Sequence, residues 1–242
     1  MLQTGRGALR AERIVSASGY FHRPWCPEIP GMADSGVPAW HAAEYGSARR
    51  VKAVLGLDNP RVLVLGGRIS AGQIALEFCG SGCETWIVPR SKLRFSRTTA
   101  WPRGLQDAYF RVEEELAANW GWDRKGSTFA HMDGARVRDL LRSGKIHLAG
   151  PLVRMGSGEA WMGDGRRVQC DAVILATGYR PVLAPLEAPA DLRAGMVAAP
   201  GIYCLGLDRL TNFRSRFLRG IRRDAEHLAH HLRALHRLNS TP

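Results

Sequence analysis

The stretch CDAVILATGYRP, residues 170–181, carries the strongest fold signal in this chain. Its apolar residues 172–175 run directly into the small residues Ala176, Thr177 and Gly178. A short, continuous apolar run is typical of a buried parallel strand. Small residues at the end of such a strand let the backbone come close to a bulky group, because no large side chain fills the space.

Two more stretches complete a pattern along the chain. A fainter copy of the first, IVSASG, lies at residues 14–19. Between the two copies, residues 61–73 read RVLVLGGRISAGQ, which predicts a strand, a turn at Gly66 and Gly67, and the start of a helix. A turn of this kind places backbone N–H groups and the positive end of a helix against a pyrophosphate.

The order of these three stretches resembles the flavoproteins that bind two dinucleotides, and in particular the flavin-containing monooxygenases. The resemblance implies an α/β fold in which a three-layer, Rossmann-like NAD(P)H-binding domain, residues 51–168, is inserted into a FAD-binding domain, residues 1–50 and 169–242. The flavin domain is expected to be incomplete, because no Gly-x-Gly-x-x-Gly occurs in residues 1–60. We therefore expect the chain to begin partway through that domain.

A second signature of that family is matched in part. The phrase PEIPG at residues 27–31 is similar to its crossing peptide, and Gly36, His41 and Tyr45 follow. The family fingerprint is Phe-x-Gly-x-x-x-His, then three residues and an aromatic. The spacing from His41 to Tyr45 matches, but the spacing from Gly36 is one residue too long and the Phe is absent. Two roles stay open for His41: positioning a cofactor, or forming hydrogen bonds in a connector.

The dinucleotide turn departs from the usual pattern at two positions. The central glycine is replaced by Arg68 and the last by Ala71, the second being a tolerated change. Arg68 either blocks the pyrophosphate or pairs with it. We expect the steric effect to dominate, because a Cβ intrudes on the phosphate and a positive φ is costly for arginine. Arg68→Gly would then tighten coenzyme binding. The predicted coenzyme-binding residues here are Gly66, Gly67, Arg68, Ser70, Ala71 and Gln73.

The residue that discriminates between NAD and NADP is expected at the end of the second predicted strand, residues 85–88. A carboxylate there favours NAD, whereas a base suits the extra phosphate of NADP. The chain has Arg90 in the sequence PRSK and no acid, which predicts NADPH; a solvated base at a strand end is the competing interpretation. The resemblance adds Ala176, Thr177, Gly178 and Gly206 to the candidate cofactor-binding residues. It also implies FAD, of which this chain alone is expected to hold little or none.

The resemblance implies an oxidoreductase in which NADPH transfers a hydride to FAD and the reduced flavin activates O2. The substrate would be a small molecule with a soft nitrogen, a sulfur or a ketone. No side chain can be named as a catalytic acid or base. The rival hypothesis is a non-catalytic nucleotide-binding remnant or regulatory module of the same fold, which the missing flavin turn and Arg68 both favour.

Composition bounds the other function classes. The formal charge of +12 comes from arginines spread along the chain, so surface charge is a better explanation than a nucleic-acid partner. No apolar run can span a bilayer and none resembles a secretory signal, which predicts a cytoplasmic protein without a membrane partner. Five cysteines predict no disulfide framework. His227 and His231 are four residues apart, but no metal site is predicted. The oligomeric state is left open.

Hydrophobic periodicity and turn residues predict the remaining elements. The predicted helices are Leu105–Trp120, Val137–Leu141 and one containing Phe217 to Leu235. The predicted strands are Ile146–Leu148, Leu152–Met155, Ala160–Met162, Arg167–Val168 and one within residues 201–208.

Overall fold

The chain divides into two units in this computed structural model. The structure describes residues 2–95, 101–105, 107–109, 111–112, 132, 136–180, 182–183, 188–189, 196–207, 210 and 215–239. The larger unit holds the described residues of 24–115 and 129–178, and the smaller unit holds those of 1–23 and 179–242. The domain division expected from the sequence, 51–168 inserted into 1–50 and 169–242, stays a proposal.

Helices and strands alternate through most of the larger unit. The helices of the chain are α1 (Ala48–Leu55), α2 (Ile69–Gly80), α3 (Arg136–Arg142) and α4 (Leu218–Asn239). The strands are β1 (Leu2–Thr4), β2 (Gly7–Leu9), β3 (Ile14–Ser16), β4 (Arg23–Pro24), β5 (Ala39–His41), β6 (Arg61–Leu65), β7 (Glu84–Val88), β8 (Ile146–Leu148), β9 (Leu152–Gly156), β10 (Glu159–Met162), β11 (Arg167–Gln169), β12 (Ala172–Leu175), β13 (Tyr179–Arg180), β14 (Val182–Leu183), β15 (Ala188–Pro189), β16 (Val197–Ala199) and β17 (Ile202–Cys204).

A five-stranded parallel sheet in the order β5-β12-β6-β7-β8 forms the centre of the larger unit. Every side chain of β12 and all of β6 except Arg61 are buried, because both faces of the sheet are covered. Helices α1, α2 and α3 cover one face, and the antiparallel sheet β9-β10-β11 covers the other. The predicted α/β fold with a parallel sheet is confirmed, and its third layer is a sheet rather than helices.

Most predicted elements of this unit are confirmed to within one or two residues. The continuous apolar runs correspond to β6, β7 and β12, and the glycine turn precedes α2. Residues 103–105, 107–109 and 111–112 are helical, and the rest of the helix predicted for Leu105–Trp120 lies outside the described residues.

Two elements, β5 and α1, have no counterpart among the predicted helices and strands. The three residues of β5 are too few to show a period, and they become a strand by pairing with β12. Helix α1 begins after Ser47, whose side chain accepts a hydrogen bond from the Arg50 N–H at 3.2 Å. Its first N–H, of Ala48, donates to Glu77 on α2 at 2.7 Å. Tertiary partners therefore define both elements.

The proline-rich segment 27–31 is fixed against the covering sheet. The Met155 N–H of β9 donates to the Pro30 carbonyl oxygen at 2.9 Å. Gly31 has φ +73°, and a Cβ there would lie 2.1 Å from the Met155 carbonyl oxygen. Only a glycine permits this close approach, so the segment is an ordered part of the larger unit.

At the amino ends of the central strands, Arg61 and Asp171 clamp β6 to β12. The Asp171 carboxylate accepts from Arg61 Nη2 at 2.7 Å, from Nε at 3.0 Å and from the Arg61 backbone N–H at 2.7 Å. The Asp171 N–H donates back to the Arg61 carbonyl oxygen at 2.8 Å. These hydrogen bonds hold the pKa of Asp171 below its usual value.

The smaller unit contains the sheet β16-β17-β3 and the helix α4. Strands β17 and β3 are parallel, and Tyr203 of β17 packs edge-on against His231 of α4 with ring centroids 5.7 Å apart. The strand predicted within 201–208 and the helix predicted through 217–235 are both confirmed. No helix in the described part of the chain is both long and apolar enough to cross a membrane.

Candidate functional site

The carboxyl edge of the parallel sheet contains a topological switch point. The chain runs from β6 outward to β7 and then β8, and it returns to β12 on the other side of β6. The strand order therefore reverses between β6 and β12, and the loops that follow these two neighbouring parallel strands lie side by side at this edge. In open α/β sheets this is where ligands bind. The glycine turn 66–67 and the small residues 176–178 are the two loops that meet there.

Gly66 and Ala176 are in close contact at this point. Gly66 has φ +154°, and a Cβ there would lie 2.5 Å from the Ala176 carbonyl oxygen and 3.1 Å from the Ala176 Cβ. The Gly66 N–H donates to Val88 at the end of β7 at 3.1 Å. The first glycine of the turn therefore serves packing between strand ends, and the alanine of the second Ala-Thr-Gly stretch is its partner.

Gly67 brings the glycine turn beside the end of β7. A Cβ at Gly67 would lie 3.2 Å from the Pro89 Cβ and 3.3 Å from a Leu93 methyl carbon. Arg90, the next residue after Pro89, is exposed. The structure thus places the turn and the basic segment after β7 at the same edge of the sheet.

The backbone of Arg68 is unstrained, which overturns one premise about this residue. Its φ is −116° and its ψ is −170°, an extended conformation that any residue adopts. The expected penalty for a positive φ at Arg68 is therefore wrong. Arg68 is exposed at the N-cap of α2, and its carbonyl oxygen accepts from the Gly72 N–H at 3.1 Å.

The first turn of α2 separates into an exposed side and a buried side. Ser70 and Gln73 are exposed, whereas Ala71 is fully buried. Gly72 supports the buried side: a Cβ there would lie 2.7 Å from the Met132 Cγ. This turn contains no acidic residue, so the positive end of the helix dipole is not offset locally.

The second Ala-Thr-Gly turn is held by residues far away in sequence. Gly178 has φ +88°, and its carbonyl oxygen accepts from the Trp25 N–H at 2.9 Å. The same oxygen lies 3.0 Å from Nε2 of His41, a residue only 1% exposed. The Thr177 hydroxyl donates to the Trp25 carbonyl oxygen. Trp25 was not predicted from the sequence, because its contribution is made by the backbone and no side-chain pattern marks it.

His41 is followed by a network that links α1 to α2. Tyr45 donates its hydroxyl to Glu77 at 2.8 Å, and burial followed by this hydrogen bond raises the pKa of Tyr45 to about 12. The other Glu77 oxygen accepts from α1. Glu77 was not predicted as a site residue, since nothing but its place on α2 distinguishes it from a surface acid.

Gly206 is the one candidate cofactor-binding residue that lies outside the larger unit. It belongs to the smaller unit, where it has φ +75° and follows β17. A Cβ at Gly206 would lie 3.3 Å from the Cα of Gly19, the glycine that follows β3. The ends of β3 and β17 are therefore in close contact within their own sheet. The other candidate residues all belong to the larger unit.

The cysteines are free thiols in the structure. Burial is the main cause that raises the pKa of Cys83 and of Cys204, and it raises that of Cys170 to about 11. These three thiols are protonated at neutral pH, and a protonated thiol is a poor nucleophile. They pack as small apolar side chains. Among the described residues no group of His, Cys, Asp and Glu has the arrangement of a metal site.

Comparison with known proteins finds relatives of this chain among plant monooxygenases. No protein-family profile matches the chain. The chain is 26% identical over 256 residues to the probable indole-3-pyruvate monooxygenase YUCCA7 of Arabidopsis thaliana, covering 90% of this chain and 56% of that protein. It is 27% identical over 265 residues to the indole-3-pyruvate monooxygenase YUCCA1 of Oryza sativa, covering 93% of this chain and 62% of that protein. The chain thus spans somewhat more than half the length of these relatives.

One solved structure shares the fold of this chain. The flavin-containing monooxygenase of Stenotrophomonas maltophilia superposes with a TM-score of 0.67 at 20% identity, over 92% of this chain and 62% of that one. The predicted resemblance to flavin-containing monooxygenases is confirmed by these relatives and by this fold. The roles of the individual site residues stay predictions.

Proposed function

We propose that this chain binds NADPH in a monooxygenase-like oxidoreductase that uses FAD and NADPH. One observation carries the proposal: a glycine turn, a helix start and two exposed arginines lie at the carboxyl edge of the parallel sheet. Similarity to the indole-3-pyruvate monooxygenases over 90% and 93% of the chain supports it. Their activity belongs to longer proteins, so for this chain it is a proposal.

The residues at the switch point fit a dinucleotide. Gly178 has a left-handed φ, and no described atom lies within 4 Å of where its Cβ would be, so the backbone here is open to a ligand. The α2 start offers N–H groups to a pyrophosphate, and Ser70 and Gln73 are exposed beside it. Arg68 and Arg90 add positive charge and no acid opposes them in the first turn of the helix. This donor set suits an anionic ligand.

NADPH is the coenzyme that this edge would select over NADH. Arg90 is exposed where the chain leaves β7, the position at which the adenosine ribose is read in such domains. A planar guanidinium binds a phosphate monoester through two parallel hydrogen bonds. The proposed coenzyme-binding set is Gly66, Gly67, Arg68, Ser70, Gln73, Arg90, Ala176, Thr177 and Gly178. Ala71, which is fully buried, would contribute only by packing under the start of α2.

The flavin fits the described residues less well. Only the hairpin β1–β2 precedes β3 in the described part of the chain, and it has no glycine turn followed by a helix. A Cβ at Gly206 would lie 3.3 Å from the Gly19 Cα and 3.2 Å from the Ile221 Cδ1, so a side chain already packs against the turn after β17. We therefore derive no step through the flavin from this chain.

The chain's own contribution to the reaction would be binding and orientation. When bound, NADPH supplies the reducing equivalent for a flavin that reacts with O2. Residues of the switch point would hold the coenzyme pyrophosphate and ribose phosphate. A small molecule with a soft nitrogen, a sulfur or a ketone is the proposed substrate, and the cytoplasm is the proposed location.

A non-catalytic nucleotide-binding module is the second candidate. The observation that favours it is Arg68, which stands in place of the central glycine of the dinucleotide turn. Both candidates require NADPH binding, and they differ in whether flavin is held and reduced.

Two measurements on the purified chain test these functions. We expect NADPH to bind in titration calorimetry, and little or no flavin absorbance to accompany the protein. Absence of NADPH binding at millimolar coenzyme would contradict both candidates. A stoichiometric yellow chromophore that NADPH bleaches would establish the enzyme, and NADPH binding without any flavin uptake after addition of FAD would favour the module.

A further inference from the structure

We propose that His41 is a positioning residue for the coenzyme site, which acts by fixing the Gly178 carbonyl and with it the turn 176–178. The inference rests on the proposed function, because it assigns this turn to the coenzyme site. It assigns no contact between His41 and the coenzyme: the side chain is buried inside the larger unit and is 1% exposed.

The hydrogen bonds of the ring define a single tautomer. Nδ1 of His41 lies 3.2 Å from the backbone N of Ala43, an N–H group that can only donate. Nδ1 therefore carries no proton, and the proton of the neutral ring is on Nε2. Nε2 lies 3.0 Å from the Gly178 carbonyl oxygen, so it is the donor in that bond. A short local turn after β5 thus orients the donor toward a residue 137 positions further along the chain.

Three polar groups converge on the turn that His41 contacts. The Gly178 carbonyl oxygen accepts from His41 and from the Trp25 N–H. The Thr177 hydroxyl donates to the carbonyl of Trp25. Residues 24 and 178 are also places where the chain enters and leaves the larger unit. The ring of His41 is the only one of these groups supplied by the central sheet itself, at the end of β5.

A displacement of residues 176–178 would also shift the glycine turn after β6. Ala176 is two residues before Gly178, and its carbonyl oxygen occupies the space that a Cβ at Gly66 would need. Because these backbones are in contact, residues 176–178 form the surface on which the turn after β6 rests. The position of the Gly178 carbonyl therefore sets the geometry of the site where the pyrophosphate is proposed to bind.

Two substitutions separate the bond to Gly178 from the local bond. In His41→Gln the amide nitrogen takes the place of Nε2 and keeps a donor for the Gly178 carbonyl. In His41→Asn the amide oxygen takes the place of Nδ1 and keeps only the acceptor for the Ala43 N–H. Both variants bury a neutral amide of similar polarity, so each is the control for the other.

We expect NADPH to bind about threefold to tenfold more weakly to His41→Asn, the effect of losing one hydrogen bond, and within about twofold of wild type to His41→Gln. Calorimetry at one pH and ionic strength measures both affinities, and thermal unfolding measures the stability of both variants. Equal affinities of the two variants, or affinities that follow only their melting temperatures, would overturn the proposal.

Hydrogen exchange at the Trp25 amide measures the hydrogen bond to the Gly178 carbonyl in the absence of coenzyme. We expect faster exchange in His41→Asn and unchanged exchange in His41→Gln, because the Trp25 N–H shares its acceptor with His41. Equal exchange rates in the two variants would show that His41 does not set the Gly178 carbonyl. If wild type binds no NADPH, the proposed function fails while this measurement still decides the role of His41.

Discussion

Gly66 and Ala176 meet at the switch point so closely that a Cβ on residue 66 would lie 2.5 Å from the Ala176 carbonyl oxygen. The contact joins the turn after β6 to the turn after β12, two segments that lie far apart in the sequence. It explains why this glycine of the dinucleotide pattern is retained although the central one is replaced by Arg68. The retained glycine is required by the protein's own packing.

Gly66→Ala should therefore destabilise the fold. We expect a loss of about 3 kcal/mol in the free energy of unfolding, from overlap with a backbone carbonyl and a strained φ. Gly80→Ala is the matched control, because Gly80 ends α2 and a Cβ there would meet no described atom within 4 Å. Urea unfolding compares the two, and a Gly66→Ala protein as stable as the control would refute the contact.

Gly31 and Gly36 test the packing of the proline-rich segment in the same way. Their φ values are +73° and +71°, but a Cβ would meet the Met155 carbonyl at 2.1 Å only at Gly31. Gly36→Ala should cost about 1–2 kcal/mol for the left-handed backbone alone. Gly31→Ala should cost about 1–3 kcal/mol more, measured by urea unfolding. Equal costs would mean that the segment does not rest on β9.

The clamp between Arg61 and Asp171 predicts a pH dependence of stability. The pKa of Asp171 is lowered in the folded state, so its ion pair contributes stability above the unfolded pKa near 3.8 and loses it as the pH falls through the lower folded pKa. Asp171→Asn should cost about 1–2 kcal/mol at pH 7, since both side chains are partly exposed.

Denaturant unfolding of wild type and Asp171→Asn from about pH 2.5 to about pH 7 checks this. We expect the two stabilities to converge at the acidic end. Asp34→Asn, a substitution of an exposed acid in the connector, should leave stability unchanged at pH 7. A constant difference between Asp171→Asn and wild type at every pH would contradict the role of the ionised carboxylate.

Arg90 should determine the preference for NADPH. Arg90→Glu is expected to lower the ratio of NADPH to NADH affinity by about ten- to a hundred-fold, because a charge-assisted hydrogen bond to the ribose phosphate is lost. Arg142→Glu makes the same charge change at the end of α3, just before β8 begins and hence at the opposite edge of the sheet. Calorimetric titration of both coenzymes measures the ratio of NADPH to NADH affinity in each variant. An unchanged ratio in Arg90→Glu would exclude Arg90 as the residue that selects NADPH.

The conformation of Arg68 reverses the result expected from sequence for Arg68→Gly. Since φ is −116°, glycine relieves no backbone strain, and the substitution mainly removes a positive charge beside the proposed pyrophosphate. We expect NADPH to bind about three- to tenfold more weakly to Arg68→Gly. Calorimetry at fixed ionic strength measures this, and tighter binding would restore the steric interpretation.

Short sequence patterns predicted those strands and helices whose residues form a recognisable pattern on their own. The apolar run at 172–175 and the glycine turn after β6 were sufficient for the central strands and for α2. Strand β5 was missed because it consists of three residues that become a strand only beside β12. The candidate site was predicted as a set of residues, but its assembly was not. The bond from His41 to Gly178 and the support from Trp25 join distant positions, and no spacing within the sequence encodes them.

The sheet order also has a consequence for synthesis of the chain. Strand β12 lies between β5 and β6, although it is made after both of them and after β7 and β8. A nascent chain that ends soon after β8 would hold β6 with one edge unpaired, and the side chains of Val62–Leu65 are apolar. Unpaired apolar edges invite association with other chains. We therefore expect the chain to be prone to association in the interval between translation of β8 and of β12.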